Sequence, residues 1–275
     1  MPSSTPKPSI CAIIITKNEA KMIANCIETL RWCDQILVVD NGSSDATAGL
    51  AAKLGAQVMI VQSQDFAQIR NEGLKKAHAD WVFYIDADER VMPNLQQEIQ
   101  VHIETTQASA LRMNRHNIMY GRHLSRGGWQ YDYVTRVFRK KMLERWTGKV
   151  HESPIFKGEL ATIHSPLIHL THRNTRDGLI KTTDWTAIEA ELLLAAHAPR
   201  VSALTLIRKP ALEFIRRYFL RAGYKDGMEG FVEALVQAMN KFLVYLQLWE
   251  LQLKPSLNER YIQVEEKIAK AWDYL

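Results

Sequence analysis

The sequence predicts an α/β protein: a mostly parallel sheet with right-handed crossovers, followed by a helical C-terminal extension. Three observations carry this expectation. The first ninety residues alternate short apolar runs with helical periodicities. Polar clusters follow the first, second and fourth apolar runs, and from about Asp177 the pattern is helical and amphipathic to the end.

The elements follow in order. Ile10 to Thr16 is a continuous Ile-rich run, as expected of a strand covered on both faces. From Glu19 to Leu30 the apolar positions Met22, Ile23, Cys26, Ile27 and Leu30 share one helix face. Gln35 to Val39 reads as the second strand. Asp45 is placed to N-cap a helix ending near Leu54, with Gly55 just past its C-terminus. Gln57 to Val61 is a third strand, Phe66 to His78 a helix and Trp81 to Ile85 a fourth strand. A β-α-β-α-β-α-β order of this kind implies right-handed crossovers. The predicted organisation is a tail at 1–9, an α/β domain at 10–175 (halves 10–90 and 91–175), and a helical region at 176–275.

Composition narrows the function. The chain has 275 residues, 47% apolar and 24% charged, which are ordinary globular values. A net charge of +5 suits an anionic substrate or an acidic membrane surface. It is too small to imply nucleic acid, and no nucleic-acid-binding signature accompanies it. Cys11, Cys26 and Cys33 have no zinc spacing and read as small hydrophobes in a reducing compartment. The Pro- and Ser-rich start lacks a signal-peptide core, and no run reaches the roughly 18 apolar residues of a spanning helix. The expected location is therefore cytoplasmic.

Chemistry is concentrated at three strand ends, the edge that carries the ligand crevice in open α/β sheets. The fourth strand runs into Asp86-Ala87-Asp88-Glu89. Clustered carboxylates repel, and a divalent cation removes that conflict. Carboxylates at i and i+2 in a loop both reach a hard cation and leave positions for waters and phosphate oxygens. Such an ion stabilises a departing diphosphate. After the second strand comes Asp40-Asn41-Gly42-Ser43-Ser44-Asp45-Ala46-Thr47, where Gly42 permits a tight turn. Asp40 leaves a buried strand ready to accept hydrogen bonds from a base or ribose. The first strand ends in Thr16-Lys17-Asn18-Glu19.

Together, Ile13 to Glu19, Val39 to Thr47, Arg70-Asn71 and Asp86 to Glu89 resemble family-2 glycosyltransferases, inverting enzymes with the Rossmann-like GT-A fold. The resemblance implies that Thr16, Asn18, Glu19, Asp40, Gly42 and Ser43 surround the nucleoside and Arg70 lies near the donor phosphates. It implies that Asp86, Ala87 and Asp88 lie at the diphosphate, with Asp88 and Asp86 at a Mg2+ or Mn2+ ion. Gly127-Gly128-Trp129, Arg136 to Arg139, Val150-His151-Glu152 and Arg221 to Gly227 resemble the branch that includes lipopolysaccharide core glucosyltransferases. That branch implies a UDP-sugar donor, glucose first among hexoses, and a lipid-linked glycan acceptor.

An inverting transfer needs a base on the acceptor face. Glu152 is the first candidate, since it lies outside the acidic cluster, and Asp132 is the alternative. Arg136, Arg139 and His151 are candidates for acceptor or phosphate binding. Farther on, Ala211, Leu212, Ile215, Tyr218 and Phe219 form an apolar stripe beside Arg208, Lys209, Arg216, Arg217, Arg221 and Lys225. A basic amphipathic helix suits an anionic membrane surface, here the inner face of the cell membrane, or packing on the catalytic domain. Two rival functions remain at this level. A nucleotidyltransferase predicts a Gly-rich, Arg-containing loop after the first strand, which Thr16-Lys17-Asn18-Glu19 is not. A non-catalytic carbohydrate-binding protein predicts loss of the carboxylates, yet Asp86 and Asp88 are present.

Overall fold

A computed structural model describes residues 7–148 and 152–272. It falls into two compact units: residues up to 119 with 129–171, and 120–128 with the chain from 172 onward.

The first unit is built on a mixed, mostly parallel sheet. Its strands are β1 (Ile10–Thr16), β2 (Gln35–Asp40), β3 (Gln57–Ile60), β4 (Trp81–Asp86), β5 (Glu89–Arg90) and β6 (Ala110–Met119). After the short β7 (Arg122–His123), which belongs to the other unit, come β8 (Tyr133–Arg139), β9 (Leu143–Thr147), β10 (Ser153–Phe156) and β11 (Leu160–Thr171). The sheet order is β3-β2-β1-β4-β8-β6-β11-β5. β1 pairs in parallel with β2 and β4, and β8 then runs antiparallel between β4 and β6. β9 and β10 form a separate antiparallel hairpin.

β1 and β4 are covered on both faces, which is why they are apolar until their C-terminal ends. Ile10, Ala12 and Ile14 face one cluster with Val38, Trp81, Phe83 and Ile85. Residues of α1 (Ile23–Glu28), α2 (Thr47–Lys53) and α4 (Pro93–Thr105) complete that cluster. Cys11, Ile13 and Ile15 face the other, with Leu37, Val39, Val82 and Tyr84, under α3 (Phe66–Lys76) and the β9–β10 hairpin. The alternation is the period of two that a pleated strand imposes. Burial pushes the Cys11 thiol up to about 12, as an inert small hydrophobe requires.

Local differences from the sequence reading have physical causes. The first helix begins at Ile23 rather than Glu19, because Asn18 takes a left-handed φ of 55° and residues 20–22 form a turn. Ala46, not Asp45, occupies the N-cap of α2, although the Asp45 carboxylate still accepts the Thr47 amide at 3.0 Å. Gly55 follows α2 with a φ of 86°, the expected left-handed stop. In β11 the register slips between Ile163 and Leu167, and Glu98 of α4 accepts the amides of His164 and Ser165, both at 2.8 Å.

The second unit is helical: α5 (Thr175–Ala195), α6 (Ala203–Ile215), α7 (Gly227–Leu251) and α8 (Leu257–Trp272). Ser202 and Thr205 form a capping box at the start of α6. After α6 the chain makes a π-helical turn and a 3-10 turn before α7. The Arg221 to Gly227 segment is a packing knot. A Cβ on Gly230 would lie 2.1 Å from the Gly223 carbonyl oxygen, so the turn presses directly on α7. The buried Asp226 carboxylate accepts from the Ser125 hydroxyl at 3.1 Å and the Arg126 amide at 2.7 Å, tying 120–128 to the helices. Among the described residues, no helix is long and apolar enough to cross a membrane.

Candidate active site

The candidate site lies wholly in the first unit, at the C-terminal ends of β1, β2 and β4. The loops after β1 and β2 are interlocked. The Asn18 amide donates to the Ser43 hydroxyl at 2.8 Å, and the Asn18 side-chain oxygen accepts from the Ser44 amide at 2.8 Å. The Glu19 amide donates to the Thr47 hydroxyl at 2.9 Å. Asp40 closes the loop after β2 by accepting the Ser43 amide, three residues on, at 2.6 Å. Gly42 holds a φ of 71°, and a Cβ there would meet Gln62 at 2.9 Å.

Two buried oxygens in this cradle lack partners among the described residues: the Thr16 hydroxyl and Asp40 Oδ2. They belong to residues paired in register across β1 and β2, exposed by only 4% and 1%. Buried polar atoms are nearly always hydrogen-bonded, so two orphans side by side ask for a polar ligand.

The acidic cluster after β4 is organised by arginines. Glu89 is fully buried and accepts from the Asp86 amide at 2.9 Å. Arg136 links the two carboxylates, at 2.6 Å to Asp86 and 2.7 Å to Glu89. Arg115 reaches Glu89 at 3.4 Å. Burial alone would raise the Asp86 carboxyl, but the charges of Arg136 and Arg70 outweigh it and hold it well below the usual carboxylate range. The Ala87 carbonyl accepts from Arg90 at 2.8 Å, which fixes the loop backbone. Asp88 is turned elsewhere. Its carbonyl accepts the Leu170 amide at 2.8 Å, and its carboxylate lies 3.5 Å from His169 Nε2 on β11.

Arg70 of α3 is clamped between rings, its guanidinium carbon 4.9 Å from the Trp146 ring centre and 5.7 Å from that of Tyr84. Asn71 secures the clamp by exchanging two hydrogen bonds with the Trp146 backbone, at 2.8 and 3.0 Å. Arg70 donates through Nε at 2.9 Å and approaches at 2.8 Å through its NH2 nitrogen, both to Glu152 Oε1, and it stands 3.4 Å from Asp86. Asp132 accepts from Arg115 at 2.8 Å and Asn117 at 2.9 Å, and Asn117 bonds His169 at 2.7 Å. Burial would raise the Asp132 carboxyl, but Arg115 and the Asn117 hydrogen bond bring it below its ordinary value.

The structure thus brings Thr16, Asn18, Asp40 and Ser43 into one cradle, and Arg70, Asp86, Arg136 and Glu152 into one ion-pair network. Arg136 is buried within that network, with its charge committed to Asp86 and Glu89. Arg139 is not brought to it. Its register partner is Trp81, five residues before Asp86, and its guanidinium stacks over the Trp81 ring at 4.6 Å. That is about 16 Å along the strand from the acidic cluster. His151 lies outside the described residues. Residues the sequence reading did not assign are Arg115, Asn117, Trp146 and His169, whereas Glu89 belongs to the acidic cluster it placed on the donor side. A carboxylate directly after the acidic pair flagged Glu89, but lone residues such as His169 carried no signal.

The chain is 25% identical over 270 residues to the lipopolysaccharide core biosynthesis glycosyltransferase LpsC of Rhizobium meliloti (strain 1021), covering 92% of this chain and 98% of that protein. It is 28% identical over 258 residues to an uncharacterized glycosyltransferase of Rickettsia prowazekii (strain Madrid E), covering 89% and 88%. In fold it is similar to the mannosyltransferase PcManGT of Pyrobaculum calidifontis, solved with GDP-Man and Mn2+, at a TM-score of 0.54 and 12% identity over 90% of this chain and 89% of that one. The family model for glycosyl transferase family 2 matches residues 11–158, more than half of the chain. The protein is a glycosyltransferase of GT-A fold and belongs to glycosyl transferase family 2.

Proposed function

We propose that the enzyme transfers a hexose, glucose first, from a UDP-sugar to a hydroxyl of a lipopolysaccharide or related envelope glycan core, with inversion. The observation that carries the donor assignment is the orphan pair Thr16 and Asp40 at the adjoining ends of β1 and β2. A nucleoside supplies both donors and acceptors at such a cradle. The acceptor class rests on the resemblance to LpsC along nearly the whole chain.

The donor set is suited to a divalent cation, Mg2+ or Mn2+. Asp86 has both carboxylate oxygens engaged by arginines, so it supports the loop, whereas Asp88 with His169 beside it is the better holder. Few protein ligands are expected, since hard cations at diphosphates are completed by waters and phosphate oxygens. When bound, the ion neutralises charge developing on the departing diphosphate. Arg70 sits where it can share that charge. Glu152 takes the acceptor proton, with Asp132 as the alternative base.

The test is incubation with labelled UDP-hexoses and a panel of other nucleotide sugars, scored for nucleotide release with and without a core glycan acceptor. Acceptor-dependent UDP release is expected, and release only from another nucleotide sugar would overturn the donor. Asp40→Ala should weaken UDP binding while turnover at saturating donor falls less, because the contact exists before and during transfer. Calorimetry on the folded variant checks this, and unchanged UDP affinity would make Asp40 a turn residue only.

The same reading places the enzyme at the inner face of the cell membrane. Leu204, Ile207, Leu212, Ile215, Phe219 and Leu220 of the helical unit are all exposed. They stand beside Arg216, Arg217 and Arg221, for which Glu213 is the shared carboxylate partner of the first two. Binding to anionic liposomes should weaken in high salt and after removal of the Arg216, Arg217 and Arg221 charges. Equal partitioning of the two proteins would count against it.

A further inference from the structure

The proposed base and the proposed phosphate ligand are bonded to each other. Glu152 Oε1 receives two nitrogens of Arg70, Nε at 2.9 Å and NH2 at 2.8 Å. Oε1 of the carboxylate is thereby committed to a cation rather than to an acceptor hydroxyl. Arg70 in turn has one nitrogen left over. Its NH1 is buried, and it has no partner among the described residues, although the residue as a whole is only 5% exposed. The rings of Trp146 and Tyr84, braced through Asn71, keep the guanidinium from swinging away. A fixed cation with an unmet donor, one carboxylate partner at short range and a second, Asp86, at 3.4 Å is built to accept another anion.

We infer that Arg70 is shared in alternation between Glu152 and the donor diphosphate, so that donor binding releases the base. With the donor site empty, Arg70 and Glu152 satisfy each other. A diphosphate oxygen competes for the same guanidinium, and the Glu152 carboxylate is left to hydrogen-bond the acceptor hydroxyl. The proton of that hydroxyl then passes to Glu152 as the oxygen attacks the anomeric carbon and the diphosphate leaves. Acceptor activation is therefore ordered after donor binding, which keeps the base silent until there is a sugar to transfer. This inference rests on the donor and base assignments proposed above.

The pairing makes a prediction that needs no turnover. Glu152→Gln removes the competing anion, so it should bind UDP more tightly than the wild type in the presence of Mn2+. The expected gain is about tenfold, the scale of one charge-assisted hydrogen bond. Inorganic pyrophosphate, which has no base or ribose, should show the same gain. Arg70→Gln should weaken both ligands, and Arg70→Lys should recover part of the loss while lacking the two-nitrogen grip on Glu152. In an Arg70→Gln background, Glu152→Gln should change nothing further. Calorimetry with circular dichroism as the folding check measures the wild type and all four variants. UDP affinity that is unchanged or weaker in Glu152→Gln, with Arg70→Gln still impaired, overturns the alternation and leaves the donor site standing. Full UDP and pyrophosphate affinity in Arg70→Gln overturns the placement of Arg70 at the donor as well.

Discussion

Asp88→Asn is expected to lower turnover by at least about 10²-fold, the scale of one lost electrostatic stabiliser of a developing charge. The substitution keeps the side-chain shape, and the Asp88 carbonyl stays tied to the Leu170 amide, so the loop should hold its place. What is lost is the charge that stands 3.5 Å from His169. The equivalent change at Asp86 should act differently. Asp86 is bound to Arg136 and Arg70, so Asp86→Asn leaves two buried cations short of a partner and should lower stability together with activity. Steady-state kinetics across a Mn2+ titration separates the two. A raised metal requirement at Asp88 and a lowered melting temperature at Asp86 are expected. Undiminished turnover of the wild type after thorough EDTA treatment would sink the metal assignment itself.

Much of the donor half was legible because its physics is local. Strands covered on both faces must be apolar, so β1 and β2 show as Ile- and Val-rich runs and β4 as a run of aromatic and aliphatic residues, and polar residues begin where the strand leaves the core. Glycine and Asx chemistry then mark the turn at Gly42 and the stop at Gly55. The acceptor half was less legible because its strands are stitched by long-range pairing. β8 is inserted antiparallel between β4 and β6, which no periodicity within residues 133–139 announces. Arg136 illustrates the limit. An arginine in a half-apolar strand reads as exposed, since burying it alone is costly. It is buried here because Asp86 and Glu89, 50 and 47 residues earlier, arrive at its guanidinium. Likewise the Arg70–Glu152 pair joins residues 82 apart, and Trp146 offers no local reason to sit over an arginine. In the helical unit the amphipathic periodicity from about Asp177 announced the helices, and the knot at Arg221 to Gly227 left a trace as two glycines flanking an aspartate. Its reason lies in the close approach of Gly223 to Gly230 and in the amide that Asp226 accepts.

Glu152→Gln should lose roughly 10²–10⁴ in turnover, the contribution of a general base, while retaining its donor site. Asp132→Asn is the paired variant, because both carboxylates are held by arginine and only the fate of the partner distinguishes them. Arg115, which holds Asp132 at 2.8 Å, is also drawn to the fully buried Glu89 and lies within the acidic network. Asn117 holds the same Asp132 oxygen and bonds His169, so Asp132 is braced from two sides. Its carboxyl is already held below its ordinary value, which makes it a weaker proton acceptor. Asp132→Asn is therefore expected to cost turnover mainly by disturbing Arg115 and His169, with a smaller loss than at Glu152. Glu152 has a partner that a diphosphate can claim, and it follows that the loss in Glu152→Gln should fall on kcat and not on donor KM. Donor hydrolysis without acceptor should persist in this variant, since attack by water relies less on that carboxylate's placement. If Asp132→Asn abolishes transfer while Glu152→Gln keeps most of it, the two roles are exchanged and the base lies on the braced side of the site.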